Sequence, residues 1–251
     1  MAEIPNVHLS LPNNAENVLV VRQALNGVAA VLALDAIETN DLITAVTEAC
    51  NNVVMHAYDG GEGPLEVDVY ALSDALAVVV RDRGSGIRER EREHEHAHTG
   101  MGIPVIEALS RRVEFAEALD GGTEVRMEFD APSAPSLAPI DGDEPTSTQA
   151  VHSELPGTIE LRLAPNAITR AVLPRVLSAL AARAYFSTDR IADVQLVADM
   201  LAANAGESIG GSRLDVGVTI APRNLELRVG PLLADGTYEL SLVDERADSR
   251  S

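Results

Sequence analysis

Glu48-Ala49-Cys50-Asn51-Asn52-Val53-Val54-Met55-His56-Ala57-Tyr58 places three polar side chains along one line of a helix. Apolar residues at Ile37, Leu42, Ala45, Val46, Ala49, Val53 and Val54 recur at helical spacing, which predicts an amphipathic helix over about 37–58. Glu48, Asn52 and His56 follow one another at intervals of four, so they stack on one face. A carboxylate and a carboxamide pointing the same way can share a cation and a phosphate. The amide oxygen suits Mg²⁺, a hard ion that prefers oxygen ligands, and the carboxylate can take a proton from an attacking hydroxyl. Taken alone, the stripe also fits the solvated side of a surface helix.

Three shorter strings come next, in order. Ala75 to Arg81 is apolar and β-branched, a buried strand that ends on Asp82. A carboxylate at such a strand end must be paired or hydrogen-bonded, and the amino group of adenine is a suitable donor. Gly84 and Gly86 then let the backbone approach a flat ring; an ordinary β-turn would use the same residues. Thr99-Gly100-Met101-Gly102 leads into a helical pattern at Ile103, Val105, Ile106, Ala108 and Leu109, with Pro104 in the first turn. Free N–H groups at a helix start attract phosphate. Gly122-Thr123 opens a strand over Glu124 to Phe129, where a hydroxyl could bond Asp82 or a water beside the base. In this order the strings describe a nucleotide pocket made of one helix, one strand end and one loop.

The same strings resemble the N-box, the two glycine boxes and the late Gly-Thr of the GHKL ATPases. The run Glu-Ala-Cys-x-Asn-x-Val-x-His-Ala-Tyr, with Gly-Met-Gly-Ile after it, is similar to the anti-sigma-factor serine kinases within that group. The resemblance covers roughly residues 5–130. It implies that Glu48 is the base for an acceptor serine and Asn52 the Mg²⁺ ligand. It also implies that Asp82 holds adenine, with Gly84 and Gly86 lining it and Thr123 beside it, while Gly100 and Gly102 face the phosphates of ATP. His56 would be structural. The implied fold is α+β: a two-layer sandwich of the GHKL (Bergerat) type, its mixed, mainly antiparallel sheet covered on one face by helices. The implied partners are a sigma factor and an anti-sigma-factor antagonist, with a homodimer as the implied assembly. Two alternatives stay open: an ATP-gated module that only sequesters its partner, and a histidine-kinase-like catalytic domain. The second is disfavoured because no acceptor His on a long helix precedes residue 8.

The residues agree with that fold. His8 to Leu11 reads as a strand and Asn14 to about Leu34 as a helix. Leu65 to Leu72 and Ala75 to Arg81 form a hairpin around Ser73-Asp74, and Val113 to Ala118 pairs with Glu124 to Phe129 around Asp120-Gly121-Gly122. The segment between Gly86 and Gly100, which should close over ATP, alternates Arg and Glu and lacks the Pro and aromatic residues expected of a kinase lid. His94, His96 and His98 in it invite a metal reading, but no cysteines accompany them.

Composition narrows the setting. The 251 residues hold 39 Asp and Glu against 19 Lys and Arg, a net charge of −20. Such a surface repels nucleic acid and favours a partner with a basic face. The single Cys excludes an internal disulfide, and Cys50 reads as a small buried residue. With no membrane-length apolar run and no signal peptide, the sequence predicts a cytoplasmic protein.

Residues 131–156 are rich in Pro, Ser and acid and read as a linker between a nucleotide-binding domain over 1–130 and a second domain over 157–251. Ile159 to Asn204 can be laid on Val7 to Asn52 without a gap at an offset of 152. The second half therefore reads as a degenerate copy. Met200 stands where Glu48 would, Asn204 where Asn52 would and Val229 where Asp82 would, with no Gly-x-Gly before a third helix. Glu245 to Ser251 reads as a frayed end.

Overall fold

A computed structural model describes residues 4–84, 102–118, 121–131, 158–208, 213–232 and 236–245. The first half runs β1 (Val7–Pro12), α1 (Ala15–Val31), α2 (Ala36–His56), β2 (Pro64–Ala71), β3 (Ala75–Arg81), α3 (Gly102–Leu109), β4 (Arg112–Glu117) and β5 (Thr123–Asp130). The second half runs β6 (Ile159–Leu163), α4 (Ala167–Arg183), α5 (Thr188–Ser208), β7 (Leu214–Ala221), β8 (Asn224–Leu232) and β9 (Gly236–Val243). The charged lid, its three histidines, Gly86, Gly100 and nearly all of the linker lie outside the described residues.

The strands form one sheet in the order β4-β5-β3-β2-β1-β6-β7-β8-β9, and each neighbouring pair is antiparallel. This is the α+β, mainly antiparallel architecture implied by the sequence. Alternation along the strands sends one set of side chains toward the helices: Val7, Leu9 and Leu11 from β1, Leu65, Val67 and Val69 from β2, and Leu76, Val78 and Val80 from β3. They meet Val21, Leu25, Val46 and Val53 in one continuous core that also takes in Leu161, Leu163, Val172 and Val216. The sheet and the core thus run unbroken across the division at 131–156. β9 has no counterpart in the sequence reading, although Leu240 and Leu242 alternate there with Glu239 and Ser241.

Local chemistry sets the helix limits. Asn14 caps α1 by accepting from Glu16 N at 2.8 Å. Asp35 caps α2 by accepting from the Ile37 and Glu38 amides, while Glu38 Oε2 accepts from Asp35 N at 2.7 Å. Such reciprocal caps contribute about 1 kcal/mol each. They fix where α2 begins and so which residues, about three and four turns later, face the strand ends.

On the other face of the sheet, Asp68 of β2 is buried. Its Oδ1 lies 2.7 Å from His8 Nδ1 of β1, and its Oδ2 accepts from Arg81 of β3, which also donates to Glu124 of β5 at 2.5 Å. Burial alone would raise the Asp68 carboxyl, but the hydrogen bonds and positive charge of His8 and Arg81 outweigh it and hold the group below the ordinary carboxylate value. A depressed carboxylate stabilises the fold above its unfolded pKa of about 3.9, and that contribution disappears as pH falls through the folded value. Urea midpoints measured from pH 6 down to 3 should therefore fall less steeply for Asp68→Asn than for the parent chain. Equal slopes would show that the network carries no acid sensitivity.

Candidate nucleotide site

The pocket is assembled where α2, the end of β3 and the start of α3 meet. Side chains of Glu48 and Asn52 emerge one turn apart on α2 and reach the first residue of α3. A Cβ placed on Gly102 would lie 3.3 Å from Glu48 Oε2 and 3.5 Å from Asn52 Oδ1. Both side chains are half-buried. The interval of four therefore brings a carboxylate and an amide oxygen together at a helix N-terminus, whose amides carry partial positive charge.

The floor is made by Asp82. Its side chain is 1 % exposed, and Oδ1 accepts from Gly84 N at 2.8 Å and from Thr123 N at 3.2 Å. Backbone bonding of Asp82 N to Thr123 O at 3.0 Å ties the end of β3 to the start of β5. The Thr123 hydroxyl is buried and has no hydrogen-bond partner among the described residues. A buried hydroxyl without a partner is costly, and one beside a carboxylate suits a ligand or water in the pocket.

Glycine is required at two points of this floor. A Cβ on Gly84 would sit 1.9 Å from Ala57 O, at the end of α2. Gly122 has φ of +85° and a Cβ there would sit 2.2 Å from Asp82 O. Any side chain at either position would push the strand end away from α2 or from β5.

Tyr58 is a positioning residue to which the sequence alone assigns no role. Its hydroxyl donates to Pro64 O at 2.5 Å and accepts from Arg83 N at 2.8 Å. It thus clamps the loop after α2 to the residue following Asp82. In the sequence it stands only as the last residue of the Glu48–Tyr58 run, and its Arg83 partner lies 25 residues away. His56, on the same helical line as Glu48 and Asn52, is exposed.

Cys50 points into the core and is fully buried; burial pushes its thiol up to about 12. It is a packing residue, as its position in the helix implies. In the native protein it should not react with a disulfide reagent such as DTNB at pH 8, and one thiol per chain should appear on denaturation. Rapid reaction without denaturant would mean that α2 opens locally.

The donor set fits MgATP. Among the described residues, no group of three or more His, Cys, Asp and Glu could hold a metal by itself. Mg²⁺ typically takes one or two protein oxygens plus phosphates and waters, and Asn52 Oδ1, beside the start of α3, would be such an oxygen. No helix among the described residues is long and apolar enough to cross a membrane.

Residues 11–129 match the model of the histidine kinase-like ATPase domain. The serine-protein kinase RsbW of Bacillus pumilus is 37 % identical over 81 residues, covering 31 % of this chain and 50 % of that protein. RsbW of Bacillus velezensis is 38 % identical over 79 residues, covering 31 % and 49 %. RsbW of Halalkalibacterium halodurans is 30 % identical over 133 residues, covering 48 % and 80 %. The chain spans about half the length of the first two of these relatives. With residues 11–129 matched to that domain and an RsbW serine-protein kinase 30 % identical over 80 % of its own length, the chain belongs to the histidine kinase-like (GHKL) ATPases, in the group of the RsbW serine-protein kinases.

Proposed function

We propose that this chain is an ATP-dependent serine/threonine protein kinase of the anti-sigma-factor type. It grips a sigma factor and phosphorylates an antagonist protein that competes for that grip. The observation that carries this reading is the meeting of Glu48 and Asn52 at Gly102. In this reading that point is the phosphate side of the site, and Asp82 with Thr123 is the adenine side.

Each residue then has one task. Asp82 accepts from the adenine amino group, and the Thr123 hydroxyl bonds the base or a water beside it. Gly84 lets the backbone after Asp82 pack on the end of α2 and line the base there, and Gly86 lines the base by resemblance. Gly102, with Gly100 before it, turns backbone amides toward the phosphates. Asn52 Oδ1 holds Mg²⁺. MgATP supplies the phosphoryl group and a cation that offsets phosphate charge. Glu48 Oε2 accepts the proton of the attacking Ser or Thr hydroxyl. The net charge of −20 suits partners with basic faces.

Incubation with γ-labelled ATP and a panel of candidate antagonists tests this reading. Label on Ser or Thr of one antagonist is the expected result. ATP binding with no transfer to any antagonist would favour the sequestering module, and label on a histidine of this chain would favour the histidine-kinase reading.

A further inference from the structure

We propose that the β1–α1 face of the nucleotide-binding half fits a second copy of the same fold, and that the chain fills it in cis with its own residues 158–245. The molecule is then a one-pocket pseudo-dimer, closed at that face to another chain. The inference rests on the backbone pairing and does not depend on kinase activity.

Two kinds of observation carry it. The first is repetition of small, unrelated details at the offset of 152. α1 spans Ala15–Val31 and α4 spans Ala167–Arg183; α2 spans Ala36–His56 and α5 spans Thr188–Ser208. Asn14 and Asn166 cap their helices through the same acceptance, each at 2.8 Å. Asn17 Nδ2 donates to Pro12 O at 2.7 Å, and Thr169 Oγ1 donates to Ala164 O at 2.6 Å. Ala33 and Tyr185 both take positive φ, 53° and 61°, after helices whose last amides turn back in the same way. A non-glycine residue in that region is uncommon, so its recurrence at one offset is not explained by amphipathic helices alone.

The second is the symmetry of the junction. β1 pairs with β6 in the register Val7↔Leu163, His8↔Arg162, Leu9↔Leu161 and Ser10↔Glu160. At the offset of 152, Leu161 is the counterpart of Leu9, and His8↔Arg162 and Ser10↔Glu160 exchange roles. The pairing is therefore self-complementary about Leu9–Leu161, the signature of a two-fold interface. The helices above agree. α1 and α4 pack against each other, with Arg183 at the end of α4 bonding Glu16 and Asn17 at the start of α1. Gly27 faces Ala171 and Val172, where a Cβ would lie 2.8–2.9 Å from backbone atoms. Both contacts place the antiparallel crossing near the middle of each helix.

The two halves diverge past the β2–β3 and β7–β8 hairpins. Counted from the hairpin tips, buried Val229 answers to buried Val80, and Pro231, not Val229, stands in the position of Asp82. Between β3 and β5 lie residues 82–122, which hold α3; between β8 and β9 lie only 233–235. The second half thus keeps the elements that form the two-fold junction and lacks those that bind phosphate.

A cysteine pair across the junction tests this in the full chain. In Ser10→Cys with Glu160→Cys, the two residues are directly opposed and half-buried, within reach of a disulfide; Cys50 stays buried. After mild oxidation, non-reducing denaturing gels should show the link closed within one chain. A link between two chains would overturn the proposal, because β6 would then be supplied in trans. Absence of any link would overturn it too, because β1 and β6 would not be neighbours.

Discussion

Asp82→Asn should lower ATP affinity by about ten- to a hundred-fold, with the circular dichroism spectrum and melting behaviour kept. Asp82 Oδ1 already accepts from the amides of Gly84 and Thr123. A carboxylate accepts on both oxygens, whereas an asparagine turns two N–H donors toward one side. In this floor those donors must face either the backbone amides or the amino group of the base, and in both cases donor meets donor. Hydrogen bonds to a charged group contribute about 1.5–3 kcal/mol, and each 1.4 kcal/mol is a factor of ten in affinity. Calorimetric titration with ATP and Mg²⁺ measures the change. Undiminished affinity in a folded variant would remove Asp82 from the adenine site and with it the orientation of the whole pocket.

Legibility in the sequence depends on which forces act locally. Helices α1 and α2 appear within a few residues of their expected limits because caps and 3.6-residue periodicity lie inside the segments themselves. The β2–β3 hairpin is readable because Leu72 and Ala75 close a loop of only Ser73 and Asp74. Glu48 and Asn52 can be paired in advance since helix geometry alone brings them together. Their meeting with Gly102 cannot be derived from periodicity, because it depends on how α3 lands on α2 across a segment whose alternating Arg and Glu set no buried face. The resemblance supplies that step. Tyr58 escapes notice for a related reason: its hydroxyl serves Pro64 O and Arg83 N, and neither partner is marked by residue type. The line from His8 through buried Asp68 and Arg81 to Glu124 crosses four strands and needs the strand order before it can be seen.

The join between the halves shows the same limit from another side. Composition separates them at the Pro- and Ser-rich stretch, which suggests two bodies on a tether. In the strand order the two halves are neighbours through β1 and β6. β1 has an inner neighbour in β2, and its second edge would expose a row of unpaired amides and carbonyls. β6 covers that edge, and α4 covers the matching side of α1. On the proposal of a second copy in cis, covering that edge needs no new surface chemistry, since a two-fold contact is complementary to itself.

Glu48→Gln separates chemistry from binding. The substitution keeps the shape of the side chain and one acceptor oxygen, so packing on α2 and the approach of Gly102 to that carbonyl-type oxygen are retained. It removes the basic oxygen that would accept the proton of an attacking hydroxyl. General-base catalysis contributes about 10²–10⁴-fold in rate, so single-turnover transfer of labelled phosphate to the antagonist should fall by that factor. ATP affinity should change by less than about threefold, because the substitution leaves Asp82 and Thr123, the proposed adenine contacts, and the amide oxygen of Asn52 untouched. The opposite pattern, with affinity lost and transfer at saturating ATP preserved, would assign Glu48 to the metal or the phosphates. A fall of less than about tenfold in transfer would mean that positioning alone carries the reaction and that the proton leaves to solvent. Together with Asp82→Asn, the result assigns the two carboxylates of the pocket separately: one to holding the base, the other to the step in which the phosphoryl group moves.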